Sequence, residues 1–148
     1  MKHRGLLVAL AFIVAPSLAA AGFDLIYKCE VTPRPDSLSL VPARSTIEID
    51  TELLRARIRD DLVAESGSEW QFLNGIEKRG DHFIFQYSLR VLRKRLARRS
   101  AGYNDKRKFS YRYRIKQQGG AFGLVVFPAT GTATIIRAKG RCVLVDQG

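Results

Sequence analysis

The chain has 148 residues, of which 46% are hydrophobic and 26% are charged. These values are ordinary for one globular domain, and they exclude a collagen-like chain, a low-complexity polymer and a disordered polyampholyte. Lysine and arginine outnumber aspartate and glutamate by 25 to 14, which gives a formal net charge of +11. A protein with this balance is expected to have anionic rather than cationic partners.

Residues 1–21 have the three parts of an export signal: a basic start, an apolar run, and small side chains at Ala19 and Ala21. We predict that cleavage after Ala21 leaves one exported, β-rich domain of residues 22–148. The alternative is an uncleaved membrane anchor, but the apolar run is interrupted by Pro16 and is short for a bilayer span of about 20 residues. Both alternatives predict a periplasmic or secreted domain.

Cys29 and Cys142 are an even pair near opposite ends of the exported domain. This pattern is typical of one structural disulfide in an oxidising compartment. A zinc site is the competing interpretation, and a structural zinc ion usually takes four protein ligands. Because the domain offers only His82 besides these two cysteines, we expect a disulfide and no metal.

In the first half of the chain, residues 25–31 are expected to form a strand that carries Cys29. Three prolines in residues 32–45 predict an irregular connection, since proline has no N–H to donate to a sheet. Residues 46–50 again have strand character. Residues 54–62 are ambiguous, because their apolar side chains fit both an alternating strand and one face of a helix, and we favour a strand. Residues 70–76 form a further candidate strand.

In the second half, residues 82–91 and 109–116 alternate apolar and polar side chains, which is the period of a half-buried strand. A glycine-rich turn then leads into residues 122–127, which predicts a hairpin. A last strand is expected at residues 132–138, followed by a bend at Gly140.

The fold predicted from this pattern is mainly β. It is a single small antiparallel barrel or sandwich of about seven or eight strands. The disulfide would join a strand near the start to one near the end, and so close the sheet where its edges would otherwise be exposed.

The basic character is concentrated in residues 90–116, which contain twelve lysines and arginines and one acid, Asp105. Residues 89–99 within it continue as a strand or form a short basic helix, and their composition favours the helix. Arginine can hold a phosphate or carboxylate with two hydrogen bonds. The candidate anion-binding residues are Arg90, Arg93, Lys94, Arg95, Arg98, Arg99, Lys106, Arg107, Lys108, Arg112 and Arg114.

Little in the chain predicts catalysis. It has no nucleophile elbow, no metal-binding histidine motif and no phosphate-binding glycine loop. His82 follows Asp81, but adjacent strand residues point to opposite faces, so the two are not expected to act together. The many acids of the first half have ion-pair partners at hand in Arg55, Arg57 and Arg59. We therefore expect no enzyme and no cofactor.

The functional expectation is a non-enzymatic exported protein that binds an anionic partner through residues 90–116. Envelope lipid or a phosphorylated glycolipid is the leading partner, and an acidic protein is the alternative. Export argues against nucleic acid. The basic segment could instead serve solubility alone. A further alternative is a β-barrel carrier of a small apolar ligand, lined by Phe83, Phe85, Phe109, Phe122 and Phe127.

Overall fold

The structure is a computed structural model that describes residues 22–32, 40–92, 106–128 and 135–145. These residues form nine strands and one short helix. In chain order the elements are β1 (Leu25–Val31), β2 (Arg44–Asp50), β3 (Arg55–Asp60), α1 (Asp61–Glu65), β4 (Gln71–Asn74), β5 (Glu77–Arg79), β6 (His82–Leu92), β7 (Lys106–Lys116), β8 (Gly120–Pro128) and β9 (Ile136–Val145).

The alternating sequence of β7 shows why these segments are strands. Tyr111 and Tyr113 are completely buried, whereas Arg112 and Arg114 are exposed. The period of two therefore separates an apolar inner face from a charged outer face. The prediction for residues 109–116 is confirmed, and the strand begins three residues earlier than predicted.

The nine strands form one antiparallel sheet that curls into a half-barrel. Its strand order is β4-β3-β2-β1-β9-β8-β7-β6-β5, so every hydrogen-bonded neighbour is also a neighbour in the chain except for β1 and β9. The predicted antiparallel β fold is confirmed as a single curled sheet, with nine strands rather than seven or eight. Its two edges are β4 and β5, which are consecutive in the chain.

The predicted disulfide joins Cys29 of β1 to Cys142 of β9. The two residues are direct partners in the β1–β9 ladder, and both are buried. The first and last strands of the sheet are therefore held together by backbone hydrogen bonds and by a covalent bond. They meet in the middle of the sheet, so the exposed edges belong to other strands.

Residues 54–62 combine both of the structures that their sequence allows. The chain runs as strand β3 to Asp60 and then turns into α1. The Asp60 carboxylate accepts a hydrogen bond from the Val63 N–H and so caps the helix. Leu62 and Val63 are buried beneath this turn, which lets α1 cover the inner face of the sheet.

Two strands differ from their predictions. The sequence pattern misses β5, because all three of its side chains are exposed and it has no apolar alternation. The predicted strand at residues 132–138 is found from Ile136 and continues through Gly140 to Val145 without interruption, while residues 132–134 lie outside the described residues. Gly140 is required for close packing, because a Cβ there would overlap the carbonyl oxygen of Glu30 and the ring of Phe122.

The predicted short basic helix is wrong where the structure describes it. Residues 89–92 belong to β6, which pairs with β7 along its whole length. The remainder of the predicted helix, residues 93–99, lies outside the described residues, as does the predicted signal at residues 1–21.

The inner face of the sheet is filled by large side chains. Tyr113 stacks on Phe85 at 5.4 Å between ring centroids and on Phe122 at 6.0 Å. Tyr87 stacks on Tyr111 at 5.2 Å. Parallel rings at these distances contribute stability beyond the burial of their apolar area. The tyrosines of β7 are therefore core residues, as their spacing predicts.

No helix in the described part of the chain has the length and apolar character needed to cross a membrane.

Candidate anion-binding face

The outer face of β6–β9 carries cationic side chains and no acid. None of the four strands contains aspartate or glutamate. Their outward positions alternate with the buried residues of the core, and eight lysines and arginines at those positions are exposed. We call this set the basic face: Arg90, Lys108, Arg112, Arg114, Lys116, Arg137, Lys139 and Arg141.

The basic face is not neutralised by neighbouring carboxylates. Among the described residues, the close ion pairs involve Arg44, Arg55, Arg57, Arg59, Arg79 and His82, and no member of the basic face. The carboxylates of these pairs lie in β1, β2 and β5 or in loops, and none lies in β6–β9. The sheet therefore has an acid-paired half, β1–β4, and a group of four strands, β6–β9, whose positive charge is open to solvent. Such a charge distribution attracts anions over several ångströms.

Strand β8 lies between the two rows of cations, and its outward residues, Ala121, Gly123, Val125 and Phe127, are uncharged. Arg114 of β7 and Lys139 of β9 are the two ladder partners of Gly123. Arg112 and Arg137 flank Val125 in the same way. Neighbouring strands are about 4.8 Å apart, so the two cationic rows lie about 10 Å apart across β8. The two cationic rows therefore border an uncharged, apolar strip, which we call the groove along β8.

The structure brings together part of the predicted anion-binding set. Arg90 and Lys108 are ladder partners on the outer face, and Arg112 and Arg114 continue the row along β7. Arg107, the second residue of β7, is exposed, although its position in the alternation belongs to the inner face. Lys106 is the first residue of β7. The other five predicted residues, Arg93, Lys94, Arg95, Arg98 and Arg99, lie outside the described residues.

Lys116 lies in the predicted basic segment but not in the predicted anion-binding set. Three further cations of the basic face, Arg137, Lys139 and Arg141 of β9, were missed by the sequence analysis altogether. They are distant in the chain from residues 90–116, and only the β7–β8–β9 meander brings them to the same face. A signal was available, because these cations alternate with Ala138, Gly140 and Cys142 at the period of a strand.

The arginines of β3 have partners on the acid-paired half, as their sequence predicts. Arg55 pairs with Asp50 at 2.9 Å and Arg57 pairs with Glu48. The Arg57 guanidinium also lies between two aromatic rings, 4.5 Å from Phe23 and 4.3 Å from Trp70. Cation–π contacts of this kind restrict the arginine. These two side chains therefore link β3 to β2 on the outer face of the sheet.

A polar cluster crosses the core behind β3. The Tyr87 hydroxyl donates to the Asp60 carboxylate at 3.3 Å, and the hydroxyls of Ser45 and Tyr113 are 3.1 Å apart. Burial raises the pKa of Asp60 to about 6 and raises the pKa of both tyrosines. The sequence pattern contained a signal for Asp60, since it continues the inward alternation of Ala56 and Ile58.

One expectation about His82 is wrong. Its Nδ1 lies 2.5 Å from an Asp81 carboxylate oxygen. Asp81 is in the turn before β6, so the alternation of strand side chains does not separate the two residues. Within the described ranges, no three histidine, cysteine, aspartate or glutamate side chains come together as a metal site.

No protein-family model, no curated protein and no solved structure matches this chain. The functional conclusion is therefore drawn from the geometry and charge of the basic face.

Proposed function

We propose that this protein is a non-enzymatic, exported protein that binds an anionic lipid surface, such as a membrane containing phosphorylated glycolipid, through the basic face. The observation that carries the proposal is the contiguous array of exposed, unpaired cations on β6–β9, four strands without a single carboxylate. Each basic residue near an anionic membrane contributes about 1 kcal/mol to binding.

The spacing of the cations favours a surface over a single small anion. Cations at alternate positions of one strand, such as Arg112 and Arg114, are about 7 Å apart, and the two rows are about 10 Å apart. No single phosphate reaches all of them. An array of many headgroups does, and it also provides apolar material for the floor of the groove, where Val125 and Phe127 are only half-buried.

The disulfide supports the compartment in this proposal. Disulfides persist in oxidising environments outside the cytoplasm, and this protein has a disulfide between Cys29 and Cys142. It is consistent with an exported protein, and it supports the export signal expected at residues 1–21.

The test is cosedimentation of the oxidised protein with lipid vesicles, either neutral or containing anionic lipid, over a series of salt concentrations. The variant Arg114→Gln/Lys139→Gln removes the two cations that flank Gly123. The control Lys78→Gln/Arg79→Gln removes one lysine and one arginine from β5, the edge strand next to β6, where Arg79 is already paired with Glu77. At low salt we expect the first variant to bind anionic vesicles about 10- to 30-fold more weakly than wild type, and the control to bind nearly as well as wild type.

Equal binding by both variants, or equal binding to neutral and anionic vesicles, would overturn the proposal. A variant neutralised at Arg93, Lys94, Arg95, Arg98 and Arg99 measures the contribution of these five residues of the predicted anion-binding set. Polyglutamate serves as an acidic polymer in a parallel experiment. If the protein binds polyglutamate more tightly than it binds anionic vesicles, the partner is an acidic protein and the lipid assignment fails.

The carrier alternative has less support. Phe83, Phe85, Phe109 and Phe122 are buried, and Phe85 and Phe122 stack on Tyr113. These rings fill the inner face of the sheet, which is the usual role of aromatic side chains in a half-barrel of this size. Phe127 points to the outer face, opposite Ser110.

A further inference from the structure

A second feature of the outer face is a cleft where β9, β1, β2 and β3 lie side by side. Its volume is about 510 Å³, which is within the range of small-molecule sites. Four of the side chains that line it are cationic: Lys28, Arg44, Arg59 and Arg141. The cleft is partly enclosed, and in this it differs from the open groove along β8.

The ladder register places a hydroxyl between two of these cations. Thr46 of β2 has Lys28 of β1 as its partner on one side and Arg59 of β3 on the other. All three side chains belong to the outer face. Since adjacent strands are about 4.8 Å apart, the long lysine and arginine side chains can both reach an anion that accepts a hydrogen bond from the Thr46 hydroxyl.

The positive charge of the cleft exceeds its negative charge. The lining includes two carboxylates, Glu30 and the buried Asp60, against four cations. Arg44 approaches Glu30 at 3.4 Å, and both side chains are largely exposed. Ion pairs in solvent are weak. Lys28 has no carboxylate partner among the described residues.

The guanidinium of Arg59 is held in place from outside the cleft. It lies 4.7 Å from the ring of Trp70 and 3.6 Å from an exposed Glu69 carboxylate. The stacking contact restricts the side chain before any ligand binds, which lowers the entropy cost of binding.

We propose that this cleft binds the phosphate monoester group of a small phosphorylated molecule, held by Lys28, Thr46 and Arg59. An ammonium, a hydroxyl and a guanidinium on three adjacent strands approach from different directions. They suit a tetrahedral dianion with several acceptor oxygens better than a planar carboxylate. Val143, the ladder partner of Lys28, is 60% exposed and lines the cleft, where it contacts an apolar part of the ligand.

The experiment follows backbone amide signals of the oxidised, ¹⁵N-labelled protein by NMR while inorganic phosphate replaces chloride at constant ionic strength. Lys28→Gln and Thr46→Val test the site. Lys139→Gln is the matched control, because it removes an exposed lysine of the outer face that does not line the cleft. Valine has the shape of threonine and favours strands, so Thr46→Val removes the hydroxyl without disturbing β2.

We expect saturable shifts of β1, β2 and β3 amides in wild type and in Lys139→Gln, with binding at least about tenfold weaker in Lys28→Gln and several-fold weaker in Thr46→Val. Shifts that do not saturate, or equal affinity in Lys28→Gln and wild type, would overturn the proposal. A second titration uses a short-chain phosphatidic acid below its micelle concentration. Tighter binding than inorganic phosphate identifies a lipid headgroup as the source, and equal binding identifies a free phosphate compound; both results require the site.

The vesicle assay separates this site from the basic face. Lys28→Gln is expected to retain vesicle binding, and Lys139→Gln to retain phosphate binding. Arg141 belongs to both surfaces and is left unchanged in every variant. Loss of one activity therefore tests one proposal and leaves the other standing.

Discussion

Asp60 combines two roles with opposite electrostatic requirements. As the cap of α1 it accepts the Val63 N–H at 2.8 Å, a contact that favours the carboxylate. As a buried group it is deprived of water, which favours the neutral acid, and burial is the larger effect because the pKa of Asp60 is raised to about 6.

The raised pKa of Asp60 predicts a stability that depends on pH. The ordinary pKa of an aspartate is 3.8 and the pKa of Asp60 in the folded protein is about 6, so between these pH values the folded state binds more protons than the unfolded chain. Asp60 therefore favours folding fully below about pH 4, and this contribution is lost as the pH rises through 6.

Asn also caps helices well and carries no charge. We expect Asp60→Asn to raise the free energy of unfolding at pH 7 by up to about 3 kcal/mol, with little difference at pH 4. Urea denaturation of both proteins from pH 4 to 7 measures this. Parallel curves for the two proteins over that range would contradict it.

Gly140 and Gly123 make a matched pair for testing close packing in the sheet. A Cβ on Gly140 would overlap the backbone of β1, whereas a Cβ on Gly123 would meet no atom within 4 Å. We expect Gly140→Ala to lower the free energy of unfolding by at least about 2 kcal/mol, and Gly123→Ala to change it by less than about 0.5 kcal/mol. Thermal unfolding of both variants gives the comparison. If Gly140→Ala destabilises the protein as little as Gly123→Ala, the backbone of β1 can move away from β9 at little cost.

At the scale of elements, the β1–β9 ladder joins the first and last strands of the chain in the middle of the sheet. Its disulfide closes a chain segment with a sequence separation of 113 residues. In the chain-entropy model a loop of this length corresponds to about 4 to 5 kcal/mol of stability.

We expect Cys29→Ala/Cys142→Ala to unfold at a clearly lower urea concentration than the oxidised wild type, and wild type treated with reductant to behave like the variant. Denaturation followed by circular dichroism measures both. An unchanged midpoint would mean that the ladder alone holds β1 against β9.

The edge strands show which strands a sequence pattern fails to predict. Residues 82–91 and 109–116 were predicted correctly, because each has one face in the core and the other in water. The edge strand β5 has no buried side chain, so its three residues carry no alternation. Both edges are short, and β5 ends in Lys78 and Arg79, features that prevent pairing with other chains.

The candidate sites could be predicted only in part, because some of their residues are distant in the sequence. The cations of β7 are close in sequence, so a local charge count finds them. Those of β9 join them through the strand order, and the grouping of Lys28, Thr46 and Arg59 depends on the register of two ladders. The cysteine pair predicted which strands meet, but no local pattern in the sequence predicts register.

At the scale of the whole molecule, the position of the charge matters as much as its amount. Arg114→Gln/Lys139→Gln and Lys78→Gln/Arg79→Gln have equal net charge, but only the first pair weakens the basic face. On a cation exchanger we expect the first variant to elute at clearly lower salt than the second, since a patch of unpaired cations dominates adsorption. Coelution of the two variants would show that net charge alone, and not its position, determines adsorption.

The strand order also has a consequence for how the chain folds. Since β1 and β9 are neighbours and β4 and β5 are consecutive edges, the nine strands follow one another as on a circle that is open only between Asn74 and Glu77. A circular permutant that begins at Gly75, with residues 145 and 22 joined by a short linker, keeps every ladder. In this permutant the linker joins β9 directly to β1, so the β1–β9 ladder, which pairs strands far apart in the natural chain, becomes a local hairpin. Its contact order is lower, so it is expected to reach the same structure faster than the natural connectivity does.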